Sequence, residues 1–376
     1  MHNLKIWNYL SIPWLVFTLT FFVIFFLLAF LVEVDSSYLS RNYLNKLFLN
    51  TIILSFGSAI LSAIIAVPLA ILVTFYKFPG HKFFSWSLSL SIAFPAYVYA
   101  FIYVGIFEYA SPVSEYLRNF NIALPQIKNI YGASLIMAMA LFPYIFLLTK
   151  AHLGSVGIKV FKAAKSLGDT NITAIRKVII PSLWPTIIAG MALVVFETIA
   201  DFGGVSTLRV DTFTVGIYDA WFGYQSYFSA TRLAGLLLLF VFLIMFLAKY
   251  FGEKSVHLAS KTAETFERIE TTPIVKIGML IFCSLIFIIV FCIPTTQLIV
   301  WNLADSNLNL ISNLQLLINS LIVGLLASVI TVFFAIALAL SYKHSNILKS
   351  SILNGNAYAE SCLLEFQYRR SFFSLS

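Results

Sequence analysis

Eight stretches of this chain are too apolar and too long for a water-soluble core. They fall at about 12–32, 48–76, 83–107, 129–149, 182–203, 228–251, 275–300 and 315–342. A helix needs roughly 20 mostly apolar residues to cross the hydrocarbon layer, because each residue advances it only ~1.5 Å. Water cannot satisfy backbone N–H and C=O groups in that layer, so such segments must be helical. The expectation is an all-α, polytopic transmembrane helical bundle of about eight spans. With 60% hydrophobic and 11% charged residues, the composition excludes a soluble globular chain. The first run is too long for a signal peptide and no small-residue cleavage site follows it, so it reads as a retained span.

The net charge of +8 raises the question of nucleic acid, but the basic residues form no single patch. They sit between spans, where they orient the chain in the bilayer. With the N-terminus cytoplasmic, 18 Lys and Arg fall on the inner side and 6 (Arg41, Lys46, Arg118, Lys128, Arg209 and Arg232) on the outer. That split selects a cytoplasmic N-terminus and puts the 150–181 segment on the inner side. Cys283, Cys292 and Cys362 show no metal or redox spacing, and none of the five His residues has a ligand partner nearby in sequence. No metal site and no cofactor are expected. The chain also lacks a phosphate-binding loop and any nucleophile–base pattern, which argues against an enzyme.

Between the fourth and fifth spans lies FKAAKSLGDTNITAIRKVIIP, residues 161–181. It reads as two short helices broken at a corner. Ala163 and Ala164 are small enough for another surface to come close. Gly168 can adopt the left-handed conformation that ends a helix. Thr170 or Asn171 can cap a second helix with apolar residues Ile172, Ile175, Val178 and Ile179 at helical spacing. Pro181 is expected to close that helix before the next span.

The spacing resembles the EAA loop of binding-protein-dependent ABC transporter permeases: E-A-A, three residues, G, nine residues, then I-x-L-P. Lys162 stands where that family usually has Glu, which changes the charge there, and Val178 and Ile180 replace Ile and Leu. The resemblance implies a type I ABC importer permease fold. It also implies that Lys162, Ala163, Ala164, Gly168 and Pro181 belong to a coupling helix docking on a separate ABC ATPase, expected as a dimer. A periplasmic solute-binding protein would be the partner on the other side of the bilayer. ATP hydrolysis is expected on the separate chain.

An internal repeat bears on organisation. Asn50-Thr51-Ile52-Ile53 corresponds to Asn319-Ser320-Leu321-Ile322 at an offset of 269, and Ala66, Leu69 and Ala70 pair with Ala335, Leu338 and Ala339. The expected domains are a first permease repeat with six helices at 1–252, a cytoplasmic linker at 253–273 and the start of a second repeat at 274–343. The same offset puts the counterpart of the 83–107 span at 352–376, where Glu360, Glu365, Arg369 and Arg370 leave no run able to span. Segment 344–376 is therefore read as an aberrant tail, and the chain as a fused permease truncated in its second repeat.

One charged pair stands inside a span. Glu197 and Asp201 are four apart and are expected to share one helix face. At ~1.5 Å per residue, Glu197 lies roughly 24 Å along the helix from Pro181, in the outer half of the bilayer. A carboxylate facing lipid costs at least a few kcal/mol, so both should face the bundle interior or a watery path. Two readings stand: a cation-attracting stretch of the translocation path, or a structural pair bonded to neighbouring hydroxyls and backbone. Residues 197–203 (ETIADFG) and 211–218 (DTFTVGIY) resemble the ferric-iron branch of the family. That resemblance implies ferric iron as substrate, with thiamine and other small solutes carried by close relatives. The rival is an ion-coupled secondary transporter, in which the two acids would bind the coupling ion.

Overall fold

The computed structural model describes residues 20–31, 40–252, 268–304 and 310–344. The tail from 345 onward and most of the 253–273 linker lie outside the described residues. The chain divides into two compact units, Leu28–Ala304 and a second formed by Met1–Leu27 with Asp305–Ser376. The second unit's long described element is the helix Leu310–His344.

The described residues are helical apart from turns and one isolated bridge, between Tyr76 and Ile269. In chain order the elements that matter here are α1 (Thr20–Leu31), α2 (Arg41–Phe75), α3 (His81–Ala93) and α4 (Ala96–Phe107). They continue with α5 (Ile130–His152), α6 (Ile158–Ser166), α7 (Asn171–Ala200), α8 (Gly203–Thr207), α9 (Tyr227–Gly252) and α10 (Pro273–Ala304). Six described helices are long and apolar enough to cross a membrane, or up to seven if one bent pair is a single span. With the short apolar α1 these occupy the eight segments read from the sequence.

Two expectations need correction. The 83–107 segment is not one straight span: α3 and α4 meet at a bend of 90°. Pro95 cannot donate an N–H and pushes Phe94 out of the helical region, to φ −95°, ψ 118°. Nor does Pro181 close a helix, since α7 runs unbroken from Asn171 to Ala200. A widened π-helical turn at Ile175–Ile179 precedes Pro181, and the Ile180 N–H reaches back to the carbonyl of Ile175. That looser turn makes room for the proline ring, which would otherwise clash with the preceding turn.

The Leu28–Ala304 unit builds its core where α2, α5 and α7 pack together. Apolar side chains gain little there by leaving lipid, so close approach has to carry the packing. Small residues provide it. A methyl group at Gly190 would come within 3.0 Å of Ile145, and one at Gly57 within 3.1 Å of the Ser134 hydroxyl. The hydroxyls of Ser58 and Thr198 meet at 3.0 Å with both residues buried, and Ser62 donates to the carbonyl of Ala138 at 3.3 Å. Each such bond between membrane helices contributes about 0.6 kcal/mol.

Candidate functional site

Two places concentrate the residues singled out by sequence, both in the Leu28–Ala304 unit. The first is the corner between α6 and α7. Gly168 has φ +93°, the left-handed conformation in which a Cβ is strained, and the Asp169 N–H bonds back to the carbonyl of Ala164 at 3.2 Å. Thr170 then starts α7, its hydroxyl accepting from the Thr173 N–H at 3.3 Å.

The corner divides its two small residues. Ala164 is buried, packing inward with Phe161 and Ala174, whereas Lys162, Ala163 and Gly168 are exposed. Beside them stand Leu167 at 88% exposure and Ile172 at 75%. Sequence reading had grouped Ile172 with Ile175, Val178 and Ile179 at helical spacing and had not singled out Leu167. Pro181 lies nine residues beyond Ile172, about two and a half turns further along α7, and is exposed. Phe161 anchors the corner from below, its ring 5.1 Å from that of Phe75 at the end of α2.

The second place is a cavity of about 220 Å³ at the bend between α3 and α4. Ile92, Phe94, Pro95 and Ala96 form the bend's side of it, Ala140, Leu141 and Tyr144 come from α5, and Glu197 and Asp201 close the wall. The break at Pro95 stands on the wall of this space.

The two acids do different things there. α7 ends at Ala200, so Asp201 stands just past the helix rather than on its face. Its Oδ2 accepts from the N–H groups of Gly204 at 2.8 Å and Val205 at 3.1 Å, which caps α8, while Thr214 donates to its carbonyl at 3.2 Å. Glu197 is exposed toward the cavity, and Tyr144 donates to its Oε1 at 3.4 Å. Both carboxylates still reach one wall. Sequence reasoning missed Tyr144, Phe94 and Pro95. The Phe94-Pro95 pair inside an apolar run was the available signal for a break.

Comparison with known proteins places these features in a family. Residues 66–256, which are 191 of the chain's 376, match the family described as the binding-protein-dependent transport system inner membrane component. The chain belongs to that family. Both the α6–α7 corner and the cavity lie inside the matched region.

Among relatives, the "Sulfate transport system permease protein CysT" of Salmonella typhimurium is 27% identical over 155 residues, 41% of this chain and 55% of that protein. The "Fe(3+)-transport system permease protein FbpB 2" of Haemophilus influenzae is 25% identical over 306 residues, 80% of this chain and 57% of that protein. A solved bacterial ABC transporter, described as importing the acidic polysaccharide alginate, is 16% identical with a TM-score of 0.49. It covers 67% of this chain and 99% of that one. This family member spans about half the length of the curated relatives it matches.

Proposed function

We propose that this chain is the permease subunit of an ATP-driven ABC importer in the inner membrane, and that it passes ferric iron delivered by a periplasmic binding protein. The observation carrying the substrate is the cavity wall, where Glu197 and Asp201 bring two carboxylates and, among the described residues, no Lys or Arg lines the space. A dianion such as sulfate meets repulsion from both acids, whereas a hard cation finds oxygen donors. Two carboxylates and a tyrosine hydroxyl also make a set from which an ion can leave again, as conduction requires. The reach of the iron relative, 306 aligned residues against 155 for the sulfate relative, supports the same choice.

In this proposal the exposed face of the α6–α7 corner, with Lys162, Ala163, Gly168, Leu167 and Ile172, docks on a groove of an ABC ATPase dimer. Closure of that dimer moves the corner and rocks the bundle between outward- and inward-open states. Residues 1–252 act as a first repeat and 274–343 begin a second. Sulfate is the competing cargo, because five further relatives besides the Salmonella protein are named for sulfate transport. Uptake in the native cells, with and without the chain, separates the two cargoes. Loss of radioactive ferric iron uptake with sulfate uptake unchanged is the expected result, and the opposite pattern overturns the iron reading.

A further inference from the structure

We infer that α10 is a strut, keyed at one end to the bend beside the cavity and at the other to the corner's support, so that the two places constrain each other. The strut itself is read from this chain's own bonds. Only its use in transport rests on the function proposed above.

The upper key is built on a defect in α10. A π-helical turn spans Ile288–Cys292, with the Ile293 N–H bonding to the carbonyl of Ile288. That register leaves the Ile289 carbonyl without the donor it would have in an α-helix. Two residues later comes Pro294, which has no N–H, so the Val290 carbonyl loses its α-helical donor as well. Two bare carbonyls in an apolar bundle must find donors elsewhere.

Two tyrosines one turn apart on α4 supply them. Tyr103 donates to the Ile289 carbonyl and Tyr99 to the Val290 carbonyl, each at 2.5 Å. Their rings are parallel within 3° at 6.4 Å, and Tyr99 is wholly buried. The Tyr99 hydroxyl also lies 3.4 Å from the Ser91 carbonyl on α3, so it touches both halves of the bent span and α10 together. Close packing continues beyond the bend: Trp301 stands against Gly105, where an added Cβ would meet its ring at 2.8 Å.

The lower key lies just before α10. Ile269 donates its N–H to the Phe75 carbonyl at 2.7 Å and accepts from the Lys77 N–H at 3.1 Å, the two bonds of a parallel bridge. Glu270 pairs with the Lys77 ammonium at 2.7 Å. Phe75 is the residue whose ring carries Phe161 under the corner. From Pro273, where α10 begins, to Ile289 is 16 residues, a rise of ~24 Å, and residues 270–272 join the bridge to the helix. A helix of that length, keyed at Ile289 and Val290 and tethered to the bridge by three residues, passes displacement of one end toward the other, because its backbone bonds resist stretching.

The test uses hydrogen exchange on the full chain in lipid nanodiscs, read at the Ile269 and Lys77 amides. Tyr99→Phe with Tyr103→Phe removes the two donors and keeps the rings. Exchange at both amides should rise at least tenfold, although the substitutions act ~24 Å away along α10. Tyr97→Phe, an exposed tyrosine on the same helix, should change nothing. If the double variant does not insert, Tyr103→Phe alone takes its place, with a rise of at least threefold expected. Exchange at Ile269 and Lys77 equal to that of the unaltered chain, in whichever variant inserts, overturns the strut. Absence of iron uptake by the unaltered chain, with the variant's accelerated exchange intact, would instead count against the proposed cargo.

Discussion

The α6–α7 corner and the cavity bend are both breaks in helical structure, and at each the sequence offers a pair of residues. At the corner the pair is Ala163 and Ala164. At the cavity it is Glu197 and Asp201. In both places the fold splits the pair between two jobs. Ala163 is exposed and Ala164 packs inside. Glu197 opens on the cavity and Asp201 caps α8. Sequence spacing identifies a pair of one chemical kind, and burial decides which member can meet a partner.

The largest expected effect breaks the corner pair. Ala163→Trp should cut uptake at least tenfold with normal amounts of protein in the membrane, because the bulk falls on an exposed docking face. Ala164→Trp should instead lower the amount of folded protein, since overfilling a packed site costs about 1–3 kcal/mol or more. Measuring uptake and membrane abundance in the same cells checks both. Equal behaviour of the two variants would erase the distinction drawn from burial.

A smaller effect is expected at the cavity. Glu197→Gln keeps shape and removes charge, so ferric iron uptake should fall severalfold at constant abundance. Asp201→Ala removes an acceptor for two backbone N–H groups and should cost about 1–2 kcal/mol of stability, as lost caps do. Thermal melting in detergent, set beside uptake, reads the two apart. An Asp201→Ala chain that melts normally yet fails to transport would show that its carboxylate serves the cargo and not the cap.

The smallest effect belongs to the bridge below α10. The hydrogen bond and charge of Lys77 hold the Glu270 carboxyl below the usual carboxylate range. A carboxyl lowered in the folded state stabilises it above the unfolded value, and that contribution is lost as pH falls through the folded one. Exchange at the Ile269 amide, corrected for its intrinsic pH dependence, should therefore rise slightly on acidification below the ordinary Glu range. Glu270→Gln should abolish that dependence. The pair is exposed, so the change should stay within a few tenths of a pH-corrected log unit.

Much of this protein was legible in the chain because lipid imposes a local rule. Each span must be apolar for its full length and satisfy its own backbone, so eight runs announce eight helical segments without reference to one another. The corner was legible for a similar reason, as Gly168 and Thr170 act on their own backbone. What depended on neighbours was not. Pro95 and Pro181 look alike in sequence, yet one turns its span through 90° and the other sits in a continuous helix. A π turn ahead of Pro181 absorbs its ring, and no periodicity in the sequence reports that turn. Tyr99 and Tyr103 read as ordinary apolar filler until α10 brings two bare carbonyls to their hydroxyls. By itself the sequence determined the helices and the charged pairs. Tertiary structure decided which helix bends, which acid is spent on backbone and which carbonyls need a partner, because each depends on atoms far away along the chain.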